Sequence, residues 1–325
     1  VPDVVDPEER IRALLSQGEA RISRIFTTAI EQLKANLDLE LIAELLEQGR
    51  YYEALDIVKG VSEQLAQAST LTFISAGVDT AAFLTAADVG RVAFDVINTR
   101  ALAAMQQTQL DLIRGFTADQ QLAVHRVLMN GVQAGLNPID QARNFRDVVG
   151  LTDSQAGAVL NYRRLLEQAG DANLSVGDQR EALSRALRDG RFDRTVEAAI
   201  RRGQPLTPTQ IDRMVQRYSE RYVKYRAEVI ARTQALRAVH EGTEEAYNQA
   251  IDQGMLSPDN LISKWSTHLD GHERDTHHNL NGQTRPFGVP FQTKNGDIRY
   301  PGDPNAPAEE VIQCRCLLTR RIKVQ

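Results

Sequence analysis

Trp265-Ser-Thr-His268-Leu-Asp270-Gly-His272-Glu-Arg274-Asp-Thr-His277-His278-Asn-Leu-Asn-Gly282 is where the chain changes character. Upstream, apolar residues recur at helical spacing over long runs. From here onward Gly, Pro, Asn and Asp crowd in, up to Gln313-Cys314-Arg315-Cys316. The stretch 265–316 holds the only Trp, both cysteines and four of the six histidines: His268, His272, His277 and His278. Chemistry or a special local fold is expected in it, and a helical framework before it.

Immediately upstream, Gly203-Gln-Pro-Leu206 breaks the chain. Thr207 then supplies an N-cap, Pro208 the first helical position and Gln210 the third. Neither Gly nor Pro occurs between Pro208 and Val239. A helix is expected from Thr207 to about Met255, continuous or broken once near Tyr225. Its apolar positions include Ile211, Met214, Val215, Tyr218, Tyr222, Val229, Ile230 and Leu236.

Nearer the start, Asp6-Pro-Glu-Glu9 opens a helix, with Ile11, Leu14, Leu15, Ile22, Ile25, Phe26 and Leu33 at helical spacing. Shorter helices are expected over 39–48, 51–66 and 99–114. Residues 67–90 are rich in Ala and Thr and carry no boundary signal. Residues 92–97 read as a short strand or an extended connector. Thr117-Ala-Asp-Gln120 forms a capping box that predicts a new helix start, and Thr152-Asp-Ser-Gln155 forms a second one. Asn137-Pro138 begins the helix between them. The Gly150-Leu-Thr152 turn resembles a helix-turn-helix connection, but two packed helices joined by a short turn are the commoner meaning.

Downstream, 262–266 reads as a strand. Lys294-Asn-Gly-Asp297 is a hairpin signal within 291–298, and 311–318 reads as a strand. The expected fold is mainly α: an extended multi-helix body with a small C-terminal α+β module. It divides into an N-terminal helical region (1–115), a helical subdomain (116–205), and the long helix with the α+β module (206–325).

Composition agrees with a folded chain: 42% hydrophobic, 25% charged and only 6% aromatic residues. The net charge of -5 gives no overall attraction to nucleic acid. From Asp178 to His240, however, 14 Lys/Arg stand against 8 Asp/Glu. Within that segment Arg217, Arg221, Lys224 and Arg226 interleave with Tyr218, Tyr222 and Tyr225, a pattern that serves single-stranded nucleic acid. Ordinary helix packing with arginines on its edges uses the same pattern. The opening ten residues lack the basic and apolar regions of a signal peptide, and no apolar run approaches the ~20 residues of a membrane span. Two cysteines make no disulfide framework, so a reducing cytosol is the expected site of synthesis.

Cys314 and Cys316, if on a strand, project to one face. Two thiolates with one or two imidazoles suit tetrahedral zinc. His277 is the first candidate for a third ligand, and His268, His272 or His278 for a fourth. A pair of ordinary buried thiols is the competing reading. Asp270 and Arg274, four apart, read as a local ion pair. A zinc hydrolase or nuclease is the enzymatic alternative. His272-Glu273 is followed by His277, where the metalloprotease motif requires a histidine at 276, and that position is Thr. No complete catalytic motif is present, and a non-enzymatic protein is expected.

Arg226-Ala-Glu-Val-Ile-Ala-Arg232-Thr-Gln234, then Trp265, Asp270, Arg274-x-x-His277, Leu280-x-Gly282, Phe291, Tyr300-Pro-Gly-Asp-Pro304 and Cys314-Arg-Cys316 follow in order. This succession resembles the phage head-morphogenesis, or minor head protein, family of the Mu F-like type. The resemblance implies a minor structural protein of a tailed-phage head, acting in procapsid assembly. It implies multiple copies per particle and a location in the virion after assembly in the host cytoplasm. Its implied partners are the portal, the major capsid or scaffolding protein, and phage DNA, with ejection alongside the DNA as a further alternative. It marks Arg232, Trp265, Asp270, Arg274 and Gly282 as motif residues and implies no catalytic activity. Many relatives carry Asn before the Cys-x-Cys element, where this chain has Gln313. Another branch has a Cys-x-x-Cys pair where Arg274 and His277 stand here.

Overall fold

The computed structural model describes residues 6–57 and 59–323. The first five residues and Val58, which falls within the helix expected over 51–66, lie outside the described residues. The helical series is α1 (Pro7–Asn36), α2 (Leu39–Glu47), α3 (Tyr51–Asp56), α4 (Lys59–Ala86), α5 (Thr99–Gln133), α6 (Pro138–Val148), α7 (Asp153–Glu167), α8 (Val176–Gln179), α9 (Asp193–Arg202) and α10 (Pro208–Asp252). Then come β1 (Leu261–Ser266), α11 (Asp275–Leu280), β2 (Thr284–Pro286), β3 (Phe291–Thr293), β4 (Gly296–Ile298), α12 (Ala308–Val311) and β5 (Leu317–Ile322). The chain is thus mainly helical with a small C-terminal α+β module, as its periodicities predict.

Local signals account for most helix ends. Asp6 Oδ1 accepts from Glu8 N at the start of α1. Asn137 caps α6 ahead of Pro138, and Thr152 with Gln155 forms a complete capping box on α7. Thr207 and Gln210 cap each other's backbone N–H at 3.3 and 2.9 Å, which starts the 45-residue α10. That helix is unbroken at Tyr225.

Residues 92–97, strand or connector by their sequence, form a connector with no strand pairing. Two local expectations are corrected. The capping signal at Thr117–Gln120 starts no new helix: α5 runs without interruption from Thr99 to Gln133. Gln120 is buried, and its side chain accepts from Gly150 N at 2.9 Å and donates to Leu151 O at 2.8 Å. It therefore pins the distant turn before α7 and caps nothing. At the C-terminus, residues 311–318 are not one strand. Glu310 and Val311 end α12, residues 312–316 form a loop, and β5 starts at Leu317.

The described residues group into two compact units whose segments alternate along the chain. One comprises the residues up to Ile25, Gln64–Leu112 and everything from Ala227 onward; the other comprises Phe26–Glu63 and Ile113–Arg226.

In the first unit, β1 is the central strand of an antiparallel sheet of order β2-β1-β5. Its alternate residues Leu261, Ser263 and Trp265 are buried, the period-two pattern of a strand with one covered face. Trp265 pairs with Leu318 across the ladder. It is fully buried in a core with Ile11, Leu14, Leu236, Leu280, Phe291 and Tyr300. Side chains of this size each contribute roughly 1.5–3 kcal/mol by leaving water. The β3–β4 hairpin closes around Lys294-Asn295 as its sequence predicts. Within the same unit α10 meets α4 at Gly242. A Cβ there would sit 2.2 Å from the Phe73 carbonyl oxygen, so the approach requires glycine.

In the second unit, α10 carries a stacked aromatic contact between Tyr218 and Tyr162 (centroids 4.2 Å apart). Beneath α1, Lys34 Nζ donates to Ser219 Oγ at 2.9 Å and to Asp147 O at 3.3 Å. Burial draws the Lys34 ammonium down to about 8. Arg163 bridges Asp147 and Asp212 at 3.2 and 2.8 Å. This interior is organised by ionic pairs as well as by apolar packing.

Candidate metal centre

The site lies in the first unit, where α11, β1 and the loop before β5 meet. His277 is presented by the short α11, and Cys314 and Cys316 come from the loop. All three are at least 97% buried. His277 Nδ1 lies 3.4 Å from Cys314 Sγ and 3.4 Å from Cys316 Sγ. The three ligand atoms fall within 4.8 Å of one another. Thiolate and imidazole ligands of a tetrahedral zinc, at bond lengths of about 2.3 and 2.0–2.1 Å, stand roughly 3.5 Å apart. The donors already hold that spacing.

The strand argument for the two cysteines does not apply, because neither is in β5. They converge through the loop instead. Gln313 takes φ +56, and its N–H donates to Thr233 Oγ1 on α10 at 3.2 Å. Cys316 N–H then donates to Cys314 Sγ at 3.4 Å, curling the backbone around the first sulfur. Hydrogen bonding from Cys314, assisted by His277 and Thr267, holds the Cys316 thiol below its ordinary range. That same bond, with burial and the neighbouring charge, pushes Cys314 up. The two thiols titrate as a pair, the first proton leaving more easily than the second.

The surroundings are tightly determined. Trp265 packs edge-on against the His277 ring at 5.4 Å and against Phe291 at 5.4 Å. Its Nε1 donates to Thr267 Oγ1 at 3.2 Å, and Thr267 donates to the His277 carbonyl at 2.6 Å. On the far side of the ring, His277 Nε2 lies 2.9 Å from Glu310 Oε2. The contact is off the line of an aligned N–H···O bond. Glu310 is itself fully buried. Burial raises its carboxyl, but hydrogen bonds from Thr276, Asn295 and Thr293 and the nearby His277 outweigh that and leave it below the usual range.

Of the sequence-predicted ligands, His277, Cys314 and Cys316 are brought together and His268 is not. Its ring is nearly half exposed and lies 3.7 Å from Asp270 Oδ2. It sits in the loop after β1, outside the core in which His277 is held. Among the described residues no fourth His, Cys, Asp or Glu joins the cluster. The Asp270–Arg274 pair is also absent. Asp270 pairs with Arg315, whose hydrogen bond holds its carboxyl below the ordinary range, and Arg274 donates to the Ile312 carbonyl. Position 274 lies ahead of α11 and 270 in a bend, so helical spacing does not apply. Both contacts tie the histidine loop to the cysteine loop. Gly282 adopts φ +77, and its N–H bonds the Trp265 carbonyl at 2.9 Å. Arg232 stands 3.9 Å from Glu19.

The basic residues of α10 separate likewise. Arg226 is buried: it pairs with Asp119 at 2.5 Å, donates to Gly150 O at 3.0 Å and covers the Phe116 ring. It is a packing residue of the second unit, not a nucleic-acid contact. Arg221 donates to the Leu187 and Arg188 carbonyls. Arg217 pairs with Glu220 at 2.6 Å. Arg217, Arg221 and Lys224 remain exposed.

Glu310, Thr267, Thr293 and Asn295 have no signal in the sequence. Glu310 lies four residues before Cys314, but surface glutamates are too common for that to single it out.

The donor set of two sulfurs and one imidazole nitrogen, buried and already at ligand spacing, fits zinc. His277, Cys314 and Cys316 would hold the ion, which as a structural ion would cross-link the two loops. The sequence model of the phage Mu protein F like family matches residues 122–319. The chain belongs to that family, which supports a bacteriophage head protein associated with the virion. No curated protein and no solved structure matches the chain. None of the described helices is long and apolar enough to cross a membrane.

Proposed function

We propose that this chain is a minor structural protein of a tailed-phage head that joins the portal or the inner capsid surface during assembly, with a zinc ion stapling its C-terminal module. The family match over 122–319 carries the head-assembly reading. The burial of all three donor side chains supports a structural rather than a hydrolytic centre, since a catalytic ion needs a position open to substrate. Co-expression with the portal and the major capsid protein, followed by sedimentation, tests the reading. Co-sedimentation with portal rings or procapsids is expected, and a chain that stays with the free protein in both cases refutes it.

Contact with packaged DNA is the second reading, favoured by the exposed Arg217, Arg221 and Lys224. It predicts salt-sensitive retention on DNA, lost when the three are neutralised. Retention unchanged in that triple variant counts against it.

A further inference from the structure

We infer that Glu310 is the positioning residue of this centre: it fixes which nitrogen of His277 faces the two thiols without being a ligand itself. The inference rests on the metal reading proposed above. The imidazole has two nitrogens, and the structure gives them opposite neighbours. Nδ1 stands 3.4 Å from each sulfur, and Nε2 stands 2.9 Å from Glu310 Oε2.

Three neutral donors converge on the carboxylate. Thr276 Oγ1 donates to Oε2 at 2.9 Å, Thr293 Oγ1 to Oε1 at 3.0 Å, and Asn295 Nδ2 to Oε1 at 2.8 Å. A carboxylate held ionised by such donors can only accept. At 2.9 Å a nitrogen lone pair would face the oxygen lone pairs repulsively, so the favoured tautomer carries the hydrogen on Nε2, even though the contact is off the ideal line. That choice leaves the Nδ1 lone pair pointing at Cys314 and Cys316, which is the tautomer a metal ligand needs.

A buried carboxylate held by neutral donors alone is costly. A metal ion bound at the opposite nitrogen would polarise the N–H that faces the carboxylate, which gives a physical reason for placing Glu310 here. The donors come from α11 and from the β3–β4 hairpin. The same carboxylate therefore couples the ligand's orientation to the closure of that hairpin.

The test uses the full chain, reduced, with cobalt as the spectroscopic probe. Wild type is expected to take one equivalent, with thiolate-to-cobalt absorption. Glu310→Gln keeps the shape of the side chain and removes the charge. It is expected to lower cobalt affinity by about 10–100-fold in chelator competition, as loss of such supporting carboxylates does. At saturation its thiolate absorption should match that of wild type, because both sulfurs still bind. Affinity within about twofold of wild type overturns the role of Glu310 while leaving the metal centre standing. Wild type that takes up no cobalt removes the metal centre and this inference together. Should Glu310→Gln fail to fold, the wild-type protein decides the matter. Loaded with an NMR-active cadmium isotope and labelled at histidine nitrogen, it should show metal coupling to Nδ1 of His277. Coupling to Nε2 refutes the assignment.

Discussion

Acidification should weaken the first unit through one residue, His240. It lies in α10 with no exposed surface, and neither ring nitrogen meets a hydrogen-bond partner among the described residues. The ring stacks on Tyr300 at 6.2 Å and faces the buried Arg320, which pairs with Glu244. Burial first, and the Arg320 charge second, pull its pKa down to about 3. The unfolded chain has an ordinary histidine at about 6.5. As pH falls below that value the unfolded state binds a proton and the folded state does not. Stability is therefore intact above about pH 6.5 and declines as pH falls toward 3. Between pH 8 and pH 5 the loss is about 1.5 units at ~1.36 kcal/mol each, or about 2 kcal/mol. At pH 5 this figure depends only on the unfolded value, provided the folded one stays below about 4. Urea unfolding read by the fluorescence of Trp265, the only Trp and a residue of the same unit, measures it. Glu19 and Glu241, both raised chiefly by burial, act in the opposite direction, so the useful quantity is the difference from His240→Leu, which retains both. That variant should lack about 2 kcal/mol of the wild-type pH dependence. Parallel pH profiles, within ~0.5 kcal/mol, would refute the reasoning.

Other outcomes follow from single contacts. Gly242→Ala should destabilise by about 1–3 kcal/mol through overpacking against the Phe73 carbonyl, although helix propensity alone favours Ala by ~1 kcal/mol; thermal unfolding with a raised midpoint would contradict the close approach. Arg226→Ala should cost about 2–4 kcal/mol, because it strands the Gly150 carbonyl and breaks a part-buried pair, while Arg217→Ala should stay within ~0.5 kcal/mol; calorimetry of the two variants should separate them. Gln313→Asn should stabilise by a few tenths of a kcal/mol, since Asn accepts φ +56 more readily than Gln, and urea midpoints at matched slope report it. Stripping zinc with a chelator should lower the Trp265 transition by about 2.7 kcal/mol when free metal had stood at 100 times its dissociation constant. An unchanged transition counts against a bound ion.

Features set by near neighbours were legible in the sequence. Thr207-Pro208-x-Gln210 starts α10, Thr152 and Gln155 start α7, and Lys294-Asn295 turns the hairpin, because each signal acts within three or four residues. The sequence also singled out His277, Cys314 and Cys316 as candidate ligands, since few side chains bind soft metals, and the structure brings the three together. The same local logic misread Gln120: its partners at Gly150 and Leu151 are 30 and 31 residues away. It offered His268 as a ligand, which the fold leaves half exposed beside Asp270, and paired Asp270 with Arg274, where the fold supplies Arg315.

The sequence by itself determined the helical body, the start of α10, the change of character near Trp265 and the family; that α10 is unbroken came from the structure. Periodicity, caps and ordered motifs are properties of the chain alone. Only the tertiary structure decided that Arg226 is interior, that the cysteines converge through a loop, and that Glu310 stands behind His277. The reason is energetic. Burial turns a charge from a solvated surface group into one that requires partners, and those partners come from segments that meet only when the chain is packed.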